Sequence, residues 1–410
     1  MRRFDPDAIL SRLMVRLDPE LIESLATQVA RFHAVAAVCD PQQPFGGSDT
    51  VDEPIRQNLA QIKSAAPDFG SDVDSLGVWT ARRLEQLSGL LGERRALGHI
   101  RECHGDLHLG NVALIDESPV IFDAIEFNPG LRWIDTINDI AFMSMDLQER
   151  GRSDLAYRFL DRYLQETGDY EGLPLLRFYE VYRALVRAKI AAIRTTQADL
   201  SGDDREQVLV ELRGYVSFAK TLCAPMHGAV VITHGVSGSG KSHIAGELAD
   251  FLPAVRLRSD VERKRMLGID AASDATEREA YAPDVTAKTY ARLETLAHLV
   301  ASTGYVAVVD ATFLHDAQRG AIRRMAASIG VPFAIIACDA PLEMLRERIV
   351  ARSARADNVS DADLAVLESQ LDSREPLSAE EQGMMLTVAP DQPLDRRVLA
   401  ALLNTSGPSG

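Results

Sequence analysis

The segment at residues 235–242 has the composition of a phosphate-binding loop. It reads Gly-Val-Ser-Gly-Ser-Gly-Lys-Ser and follows an apolar run at 229–234. The spacing GxxxxGKS, between a strand and a helix, is that of a P-loop. Glycines let backbone N–H groups approach a phosphate, and the helix N-terminus adds positive potential. The sequence predicts ATP binding by eight of the nine residues at 235–243, all except Val236: Gly235, Ser237, Gly238, Ser239, Gly240, Lys241, Ser242 and His243.

Two of these side chains have individual roles. Lys241 is expected to reach the β- and γ-phosphates, and the Ser242 hydroxyl is expected to hold Mg²⁺. A second Mg²⁺ ligand is Asp310, which ends a predicted strand at 305–309. An acid at the carboxyl end of a parallel strand faces the ligand crevice. The alternative for Asp310 is a cap for the following turn.

A base for the reaction is expected at Asp260, because the predicted strand 255–258 ends in Ser259-Asp260. Asp260 could take the proton of an attacking hydroxyl, while Arg263 could hold a substrate or γ-phosphate oxygen. The alternative is a helix-capping Asp beside a surface Arg. Arg348 and Arg352, on a predicted helix at 341–353, could close over the phosphates as a lid. Alternating glutamates on that helix leave a salt-bridged surface helix as the other interpretation.

The first half carries another constellation for phosphoryl transfer. Asp106 is followed five residues later by Asn111, and Asp123 stands at the end of a short apolar strand. One carboxylate could accept a hydroxyl proton, while an amide and a second carboxylate could hold Mg²⁺. Arg183, Arg187 and Lys189 on a predicted helix are interpreted as a solvated or salt-bridged face, with a substrate role as the alternative.

The elements around these residues predict an α/β protein with two domains. We expect a mostly helical domain at 1–222, a linker at 223–228, a second domain at 229–404 and a disordered tail at 405–410. Residues 5–38 are predicted as helix, 40–54 as a loop. In the second domain, strands alternate with helices, which predicts a parallel sheet with helices on both faces, a three-layer α/β/α arrangement.

Composition restricts the partners. The 410 residues carry a net charge of −16, and both halves are acidic, so nucleic acid is an unlikely ligand and a small-molecule hydroxyl compound is favoured. There is no apolar run of membrane-spanning length and no signal peptide. The four cysteines are scattered without metal-site spacing, which fits the reducing cytoplasm.

The segment His104-Gly105-Asp106-Leu107-His108-Leu109-Gly110-Asn111 resembles the catalytic loop of the aminoglycoside phosphotransferase family, which has a protein-kinase-like fold. The resemblance implies that Asp106 is a catalytic base and that Asn111 and Asp123 are metal ligands. That fold also has a β-rich N-lobe with a Lys, but the residues before the loop indicate only helix and loop. We therefore expect that this half contains only the C-lobe, either because the start codon is placed too late or because the domain is a degenerate remnant. We also expect that this half does not transfer a phosphoryl group.

The second half resembles the P-loop kinases of the polynucleotide kinase, zeta toxin, gluconate kinase and chloramphenicol phosphotransferase group. The resemblance rests on the P-loop, on the segment 259–263 and on Asp310-Ala311-Thr312. It implies that Asp260 is the base and that Arg348 and Arg352 are lid residues. The leading hypothesis is an ATP-dependent kinase that phosphorylates a small-molecule hydroxyl. The alternatives are a polynucleotide 5′-hydroxyl kinase and an ATP-binding regulatory protein with a pseudokinase-like first half.

Overall fold

A computed structural model describes residues 5–269, 282–353, 364–390 and 392–403. The chain divides into two compact units, Met1–Pro225 and Met226–Gly410. The tail predicted at 405–410 lies outside the described residues. No helix within the described ranges combines the length and the apolar character needed to cross a bilayer.

The first unit is mainly helical. Its helices and strands, in chain order, are α1 (Pro19–Val35), α2 (Ser48–Ala65), α3 (Gly70–Ala96), β1 (Ile100–Glu102), β2 (Val112–Ile115), β3 (Ser118–Ile121), α4 (Pro129–Arg132), β4 (Trp133–Asp135), α5 (Thr136–Glu149), α6 (Ser153–Thr167), α7 (Leu173–Thr195) and α8 (Gly202–Leu222). The strands form two antiparallel pairs, β1 with β4 and β2 with β3.

Two expectations for the start of this unit are wrong. Residues 6–16 form short 3-10 turns instead of a continuous helix, and α1 begins only at Pro19, where Asp18 accepts a hydrogen bond from the Leu21 N–H at 2.8 Å. The predicted loop ends early, because α2 begins at Ser48 and contains Pro54. Burial of the apolar face of α2 outweighs the backbone hydrogen bond that a proline removes.

A buried arginine fixes the core of this unit. Arg94 is 1% exposed and donates to both carboxylate oxygens of Asp135 at 2.7 and 2.9 Å. It also donates to both oxygens of Asp169 at 2.6 and 2.7 Å. The guanidinium fork suits such paired contacts, and they satisfy a charge that burial would otherwise destabilise. The end of α3 is thereby tied to the start of α5 and to the loop before α7.

The second unit contains a five-stranded sheet. Its elements are β5 (Ala229–His234), α9 (Lys241–Leu248), β6 (Ala254–Arg258), α10 (Ser259–Leu267), α11 (Pro283–Ser302), β7 (Val306–Asp310), α12 (Asp316–Ser328), β8 (Phe333–Cys338), α13 (Leu342–Ser353), α14 (Leu364–Ser373), α15 (Ala379–Gln382), β9 (Met385–Val388) and α16 (Arg396–Leu402). The strand order is β6-β7-β5-β8-β9, and every pairing is parallel.

Helices cover both faces of this sheet. Ala229 and Val231 of β5 share an apolar cluster with Leu248 of α9 and Leu399 of α16. On the other side, α11 packs on β7 and α12 packs on β8. Strands covered on both faces are apolar along their whole length, which explains the continuous apolar runs of β5 and β7. The predicted three-layer α/β/α fold is confirmed, although β9 at the sheet edge had not been predicted.

Candidate active site

The loop between β5 and α9 depends on its glycines. Gly235 has φ of +144°, and a Cβ there would lie 2.3 Å from the Cys338 carbonyl oxygen. Gly240, the residue before α9, has φ of +95°. Neither position accepts another L-residue without strain. The backbone therefore turns tightly around an empty centre at the N-terminus of α9.

Several polar groups of this loop have no hydrogen-bond partner within the described residues. Among the described residues, no group accepts a hydrogen bond from the N–H of Gly238, Gly240 or Ser242. The Ser239 hydroxyl is buried and also has no partner within the described part of the chain. Lys241 Nζ donates to the Val236 carbonyl at 2.7 Å and lies across the loop. Orphan donors at a helix N-terminus form an anion-binding site.

One cleft of about 680 Å³ contains most of the predicted site residues of this unit. These residues come from the P-loop, the start of α10, the end of β7 and helix α13. The predicted residues that line it are Ser237, Gly238, Gly240, Lys241, Ser242, His243, Asp260, Arg263, Asp310 and Arg348. The carboxyl ends of parallel strands meet at one sheet edge, which brings these distant segments together.

Asp260 and Arg263 form an ion pair in this cleft. Arg263 Nη1 donates to Asp260 Oδ1 at 2.9 Å. Asp260 is the second residue of α10 and Arg263 follows three positions later, so both project from one helical face. The helix-capping alternative for Asp260 is not observed, because the residue before α10 is Arg258.

A buried carboxylate and a hydroxyl form a candidate site for a divalent cation. Asp310 is 5% exposed, and Arg258 Nε lies 3.9 Å from its Oδ2. Ser242 lines the same cleft at the start of α9. Hard oxygen donors of this kind are what Mg²⁺ prefers. The donor set therefore fits Mg²⁺.

The loop after β7 is held in a strained conformation. Phe313 is fully buried and has φ of +47°, which is costly for a bulky residue. Its N–H donates to the Tyr290 hydroxyl at 3.2 Å, and the same hydroxyl lies 3.2 Å from Thr312 Oγ1. Burial raises the pKa of Tyr290, so the phenol stays neutral. These contacts fix Thr312 at the wall of the cleft.

The carbonyl oxygen of Phe313 accepts two hydrogen bonds, one of them from the residue that precedes the P-loop. His234 Nδ1 donates to it at 3.0 Å, and Arg319 Nη1 donates at 3.1 Å. Burial lowers the pKa of His234 to about 4. The charges of Arg374 and Arg319 also lower this pKa, whereas the hydrogen bond to the Phe313 carbonyl acts to raise it. His234 directly precedes Gly235, so the P-loop and the loop after β7 share one support.

A second pocket, of about 360 Å³, lies on the other side of the P-loop. His243 and Ile244 of α9, Arg348 of α13 and the segment after β9 contribute to it. Arg348 lines both this pocket and the larger cleft. It stands beside Gly240, where an added Cβ would be 3.6 Å from its Nη1. The side chain of Arg352 lies outside the described residues.

Sequence reasoning missed several residues that line the cleft. Thr286 and Tyr290 come from α11, His315 and Gln318 from the start of α12, and Gln370 from α14. Thr312 was noticed only as part of a motif. None of the others stands in a recognisable pattern, because their positions depend on how helices pack over the strand ends.

In the first unit, the predicted residues Asp106 and Asn111 are in direct contact. Asn111 Nδ2 donates to Asp106 Oδ2 at 2.9 Å, and His108 Nε2 lies 3.4 Å from that oxygen. Burial acts to raise the pKa of Asp106, but the contacts from His108 and Asn111 and the charge of Arg183 hold it below its ordinary value. Asp106 is therefore an ionised carboxylate at neutral pH.

Arg183 is buried, which corrects the interpretation of a solvated or salt-bridged face. It is 3% exposed and donates to the Gly105 carbonyl at 2.9 Å and to Asn138 Oδ1 at 2.8 Å. Asp139, also buried, accepts hydrogen bonds from the N–H groups of His104 and Gly105 at 3.1 and 2.8 Å. The two side chains fix the backbone of the loop that carries Asp106.

Asp123 has φ of +63° and an exposed side chain. The preceding residue, Phe122, connects it to the loop: its N–H donates to the Asn111 carbonyl at 3.0 Å. The described residues before His104 contain the strand β1 and no larger sheet. Lys63, the one lysine before the loop in the sequence, lies in α2 and pairs with Asp74 at 2.7 Å.

The fold and the cleft define the second unit as a P-loop nucleotide-binding domain, because the first strand of its parallel sheet leads through GxxxxGKS into a helix. Comparison with protein-family models agrees. Residues 230–377 match the AAA domain model. Residues 2–179 match the model of the phosphotransferase enzyme family. The chain thus joins a phosphotransferase-family domain to an AAA-type P-loop domain, which confirms the resemblances at the level of these two families.

Similar proteins extend over most of the chain. Uncharacterized proteins of Mycobacterium tuberculosis and Mycobacterium bovis are each 29% identical over 368 residues, covering 86% of this chain and 71% of the relative. Among solved structures, a gluconokinase from Sinorhizobium meliloti is 20% identical, with a TM-score of 0.29, over 44% of this chain and 92% of its own.

Two further solved structures are described as kinases bound to nucleotide analogues. The Mycobacterium tuberculosis APS kinase in complex with AMPPNP and APS is 23% identical, with a TM-score of 0.32, over 44% of this chain and 100% of its own. An amicoumacin kinase in complex with AMP-PNP and Ca²⁺ is 15% identical, with a TM-score of 0.34, over 51% of this chain and 61% of its own.

Proposed function

We propose that the second unit is an ATP-dependent kinase that transfers the γ-phosphoryl group to a hydroxyl of a small molecule. The observation that carries this proposal is the single cleft that joins the P-loop to Asp260, Arg263, Asp310 and Arg348. A generic nucleotide-binding domain needs the loop and a metal-binding acid. Transfer to a hydroxyl also requires a base, and the ion-paired Asp260 lines the same cleft as the P-loop.

Asp260 is the base in this mechanism. Its Oδ1 is engaged by Arg263, whereas Oδ2 has no partner among the described residues and can accept the proton of the acceptor hydroxyl. The hydroxyl oxygen forms a bond to the γ-phosphorus as the bond to the β–γ bridging oxygen breaks. Lys241 and Arg348 stabilise the charge on the phosphoryl oxygens and on the departing diphosphate. Arg352 is proposed as a second lid residue from its place in the sequence.

Ser242 and Asp310 would hold Mg²⁺, which supplies charge neutralisation between the β- and γ-phosphates when bound. The remaining polar groups of the loop, the N–H groups of Gly238 and Gly240 and the Ser239 hydroxyl, would bind phosphate oxygens. We assign the nucleoside to the pocket of about 360 Å³ beside His243 and the segment after β9. That pocket lies next to the P-loop and shares Arg348 with the main cleft.

The acceptor would occupy the part of the cleft formed by α11 and the start of α12. Tyr290, Thr286, His315 and Gln318 offer hydroxyl, imidazole and amide groups that can bind a polyhydroxy compound. Net charge argues against a polynucleotide, because the chain carries −16 and a phosphate backbone requires a basic surface.

We place the domain boundary at the predicted linker, residues 223–228.

Two variants of the full chain test both the reaction and its assignment to the second unit. The purified protein is incubated with ATP, Mg²⁺ and fractionated pools of small hydroxyl compounds, and ADP release and new phosphorylated species are measured. We expect Asp260→Asn to reduce turnover about 10²- to 10⁴-fold, the usual contribution of a general base. Asp106→Ala is expected to leave turnover unchanged.

The opposite pattern, loss with Asp106→Ala and survival with Asp260→Asn, would assign the reaction to the first unit. Failure of wild-type protein to bind ATP, measured by calorimetry, would remove the kinase proposal altogether. Turnover that survives Asp260→Asn would show that Asp260 is not the base.

A further inference from the structure

The P-loop makes a contact that the proposed mechanism does not use. The backbone N–H of Ser237, the third residue of the loop, donates to Oε1 of Gln370 at 2.7 Å. Gln370 is half-buried and belongs to α14, 133 residues further along the chain. It lines the same cleft as Lys241 and Asp260.

The chemistry of this contact determines which way the carboxamide points. A backbone N–H can only donate, so the atom of Gln370 that meets it must be the carbonyl oxygen. The NH₂ group of the carboxamide consequently points away from the Ser237 N–H. Within the described ranges, no group accepts a hydrogen bond from that Nε2, so its two N–H donors have no partner there.

The position of α14 is set by packing independently of this hydrogen bond. Leu367, one turn before Gln370, is fully buried in a cluster with Val236 of the P-loop and with Leu345 and Ile349 of α13. The apolar cluster therefore holds α14 against the loop and against the helix that carries Arg348. Gln370 is placed at the cleft by a rigid helix rather than by a free loop.

We propose that Gln370 is a ligand of the terminal phosphate of the bound nucleotide. Its Oε1 stays on the Ser237 N–H, and its NH₂ group donates to a γ-phosphate oxygen. This inference rests on the proposed function, since it assigns a residue to the same nucleotide site. Gln370 supplies donors without charge, and it discriminates a triphosphate from a diphosphate because it contacts only the γ-phosphate.

Gln370→Glu tests the idea with an isosteric change. The carboxylate can still accept from Ser237, but it loses both donors and places a negative charge near the γ-phosphate. Binding of AMP-PNP and of ADP, each with Mg²⁺, is measured by calorimetry on the full chain. Because the lost hydrogen bonds are to a charged phosphate, we expect AMP-PNP to bind at least about tenfold more weakly and ADP to bind within twofold of wild type.

A matched control is Gln382→Glu, the same chemical change on exposed α15, where Nε2 donates to the Leu377 carbonyl. It should leave both affinities unchanged. ADP affinity also reports whether the P-loop remains folded in the Gln370 variant. Gln370→Ala, which loses donors and acceptor together, should again weaken AMP-PNP more than ADP.

Failure of the Gln370 inference can be distinguished from failure of the kinase proposal. If wild type binds both nucleotides and Gln370→Glu weakens neither, or weakens both by the same factor, Gln370 is a structural residue and this inference is overturned while the kinase proposal stands. If wild type binds neither AMP-PNP nor ADP, the proposed function fails and the inference fails with it.

Discussion

Arg263 Nη1 lies 2.9 Å from Asp260 Oδ1, within the first turns of α10. Arg263 is itself buried, at 6% exposed, whereas its partner carboxylate is more open to the cleft. A buried guanidinium has one stable position, so it fixes the orientation of the carboxylate in front of it. In the proposed mechanism Asp260 is the base and Arg263 orients it, which leads to the first prediction.

Arg263→Gln should reduce kcat about tenfold to hundredfold with little change in nucleotide affinity, because a misdirected base costs roughly that much. Arg263→Lys keeps the charge but not the planar fork, so its kcat should lie between those of Arg263→Gln and wild type. Steady-state kinetics with the identified acceptor measure the effect. Equal kcat for all three proteins would show that Arg263 does not orient Asp260.

Lys241→Ala should weaken ATP binding about tenfold to hundredfold, since the lost contact is a charge-assisted one of about 1.5–3 kcal/mol. The fold should be retained, because the Lys241 contact with the Val236 carbonyl lies within the loop. Lys288→Ala is the control, as Lys288 is 69% exposed on α11 and pairs with Asp284. Calorimetric affinities that are the same for both variants would contradict the P-loop assignment.

Tyr290→Phe should destabilise the second unit by about 1–3 kcal/mol, the cost of leaving a buried donor unpaired, because the Phe313 N–H loses its acceptor. It should also raise KM for the acceptor by displacing Thr312. Thr312→Ala is the comparison, since it keeps the contact between Tyr290 and Phe313. Thermal unfolding monitored by circular dichroism should show the larger loss for Tyr290→Phe. A larger loss for Thr312→Ala would refute this account of the strained loop.

His234 should make the stability of the second unit depend on pH. Burial lowers its pKa to about 4 in the folded chain, whereas an unfolded histidine titrates near its ordinary value of about 6.5. The unfolded state therefore binds the proton first, and stability present above about pH 6.5 is lost as the pH falls toward 4. The shift corresponds to about 3 kcal/mol at most.

His234→Asn can still donate to the Phe313 carbonyl but does not titrate in this range. Thermal unfolding at a series of pH values between about 7.5 and 5 compares it with wild type. The variant should show a smaller loss of stability on acidification. Parallel curves for the two proteins would place the pH dependence elsewhere.

Local pattern was sufficient to predict the elements that bind nucleotide. The run from Ala229 to Ser242 carries its strand, its turn glycines and its helix start in fourteen consecutive residues, and the structure forms each of them there. Asp260 and Asp310 were found because each lies at the carboxyl end of a predicted strand, and Asp106 and Asn111 were found from their five-residue spacing. Arg183 was misjudged, because helical periodicity does not show which neighbour buries a charged side chain.

The sequence by itself determined the two domain families, the parallel sheet and the acids at the strand ends, because these depend on residues close together in the chain. Only the tertiary structure decided that Tyr290 supports the strained Phe313 and that Gln370 meets the N–H of Ser237. Those contacts join segments separated by 23 and 133 residues. They exist because helices packed over the sheet edge bring side chains to the same cleft, and no local spacing records where a helix will pack.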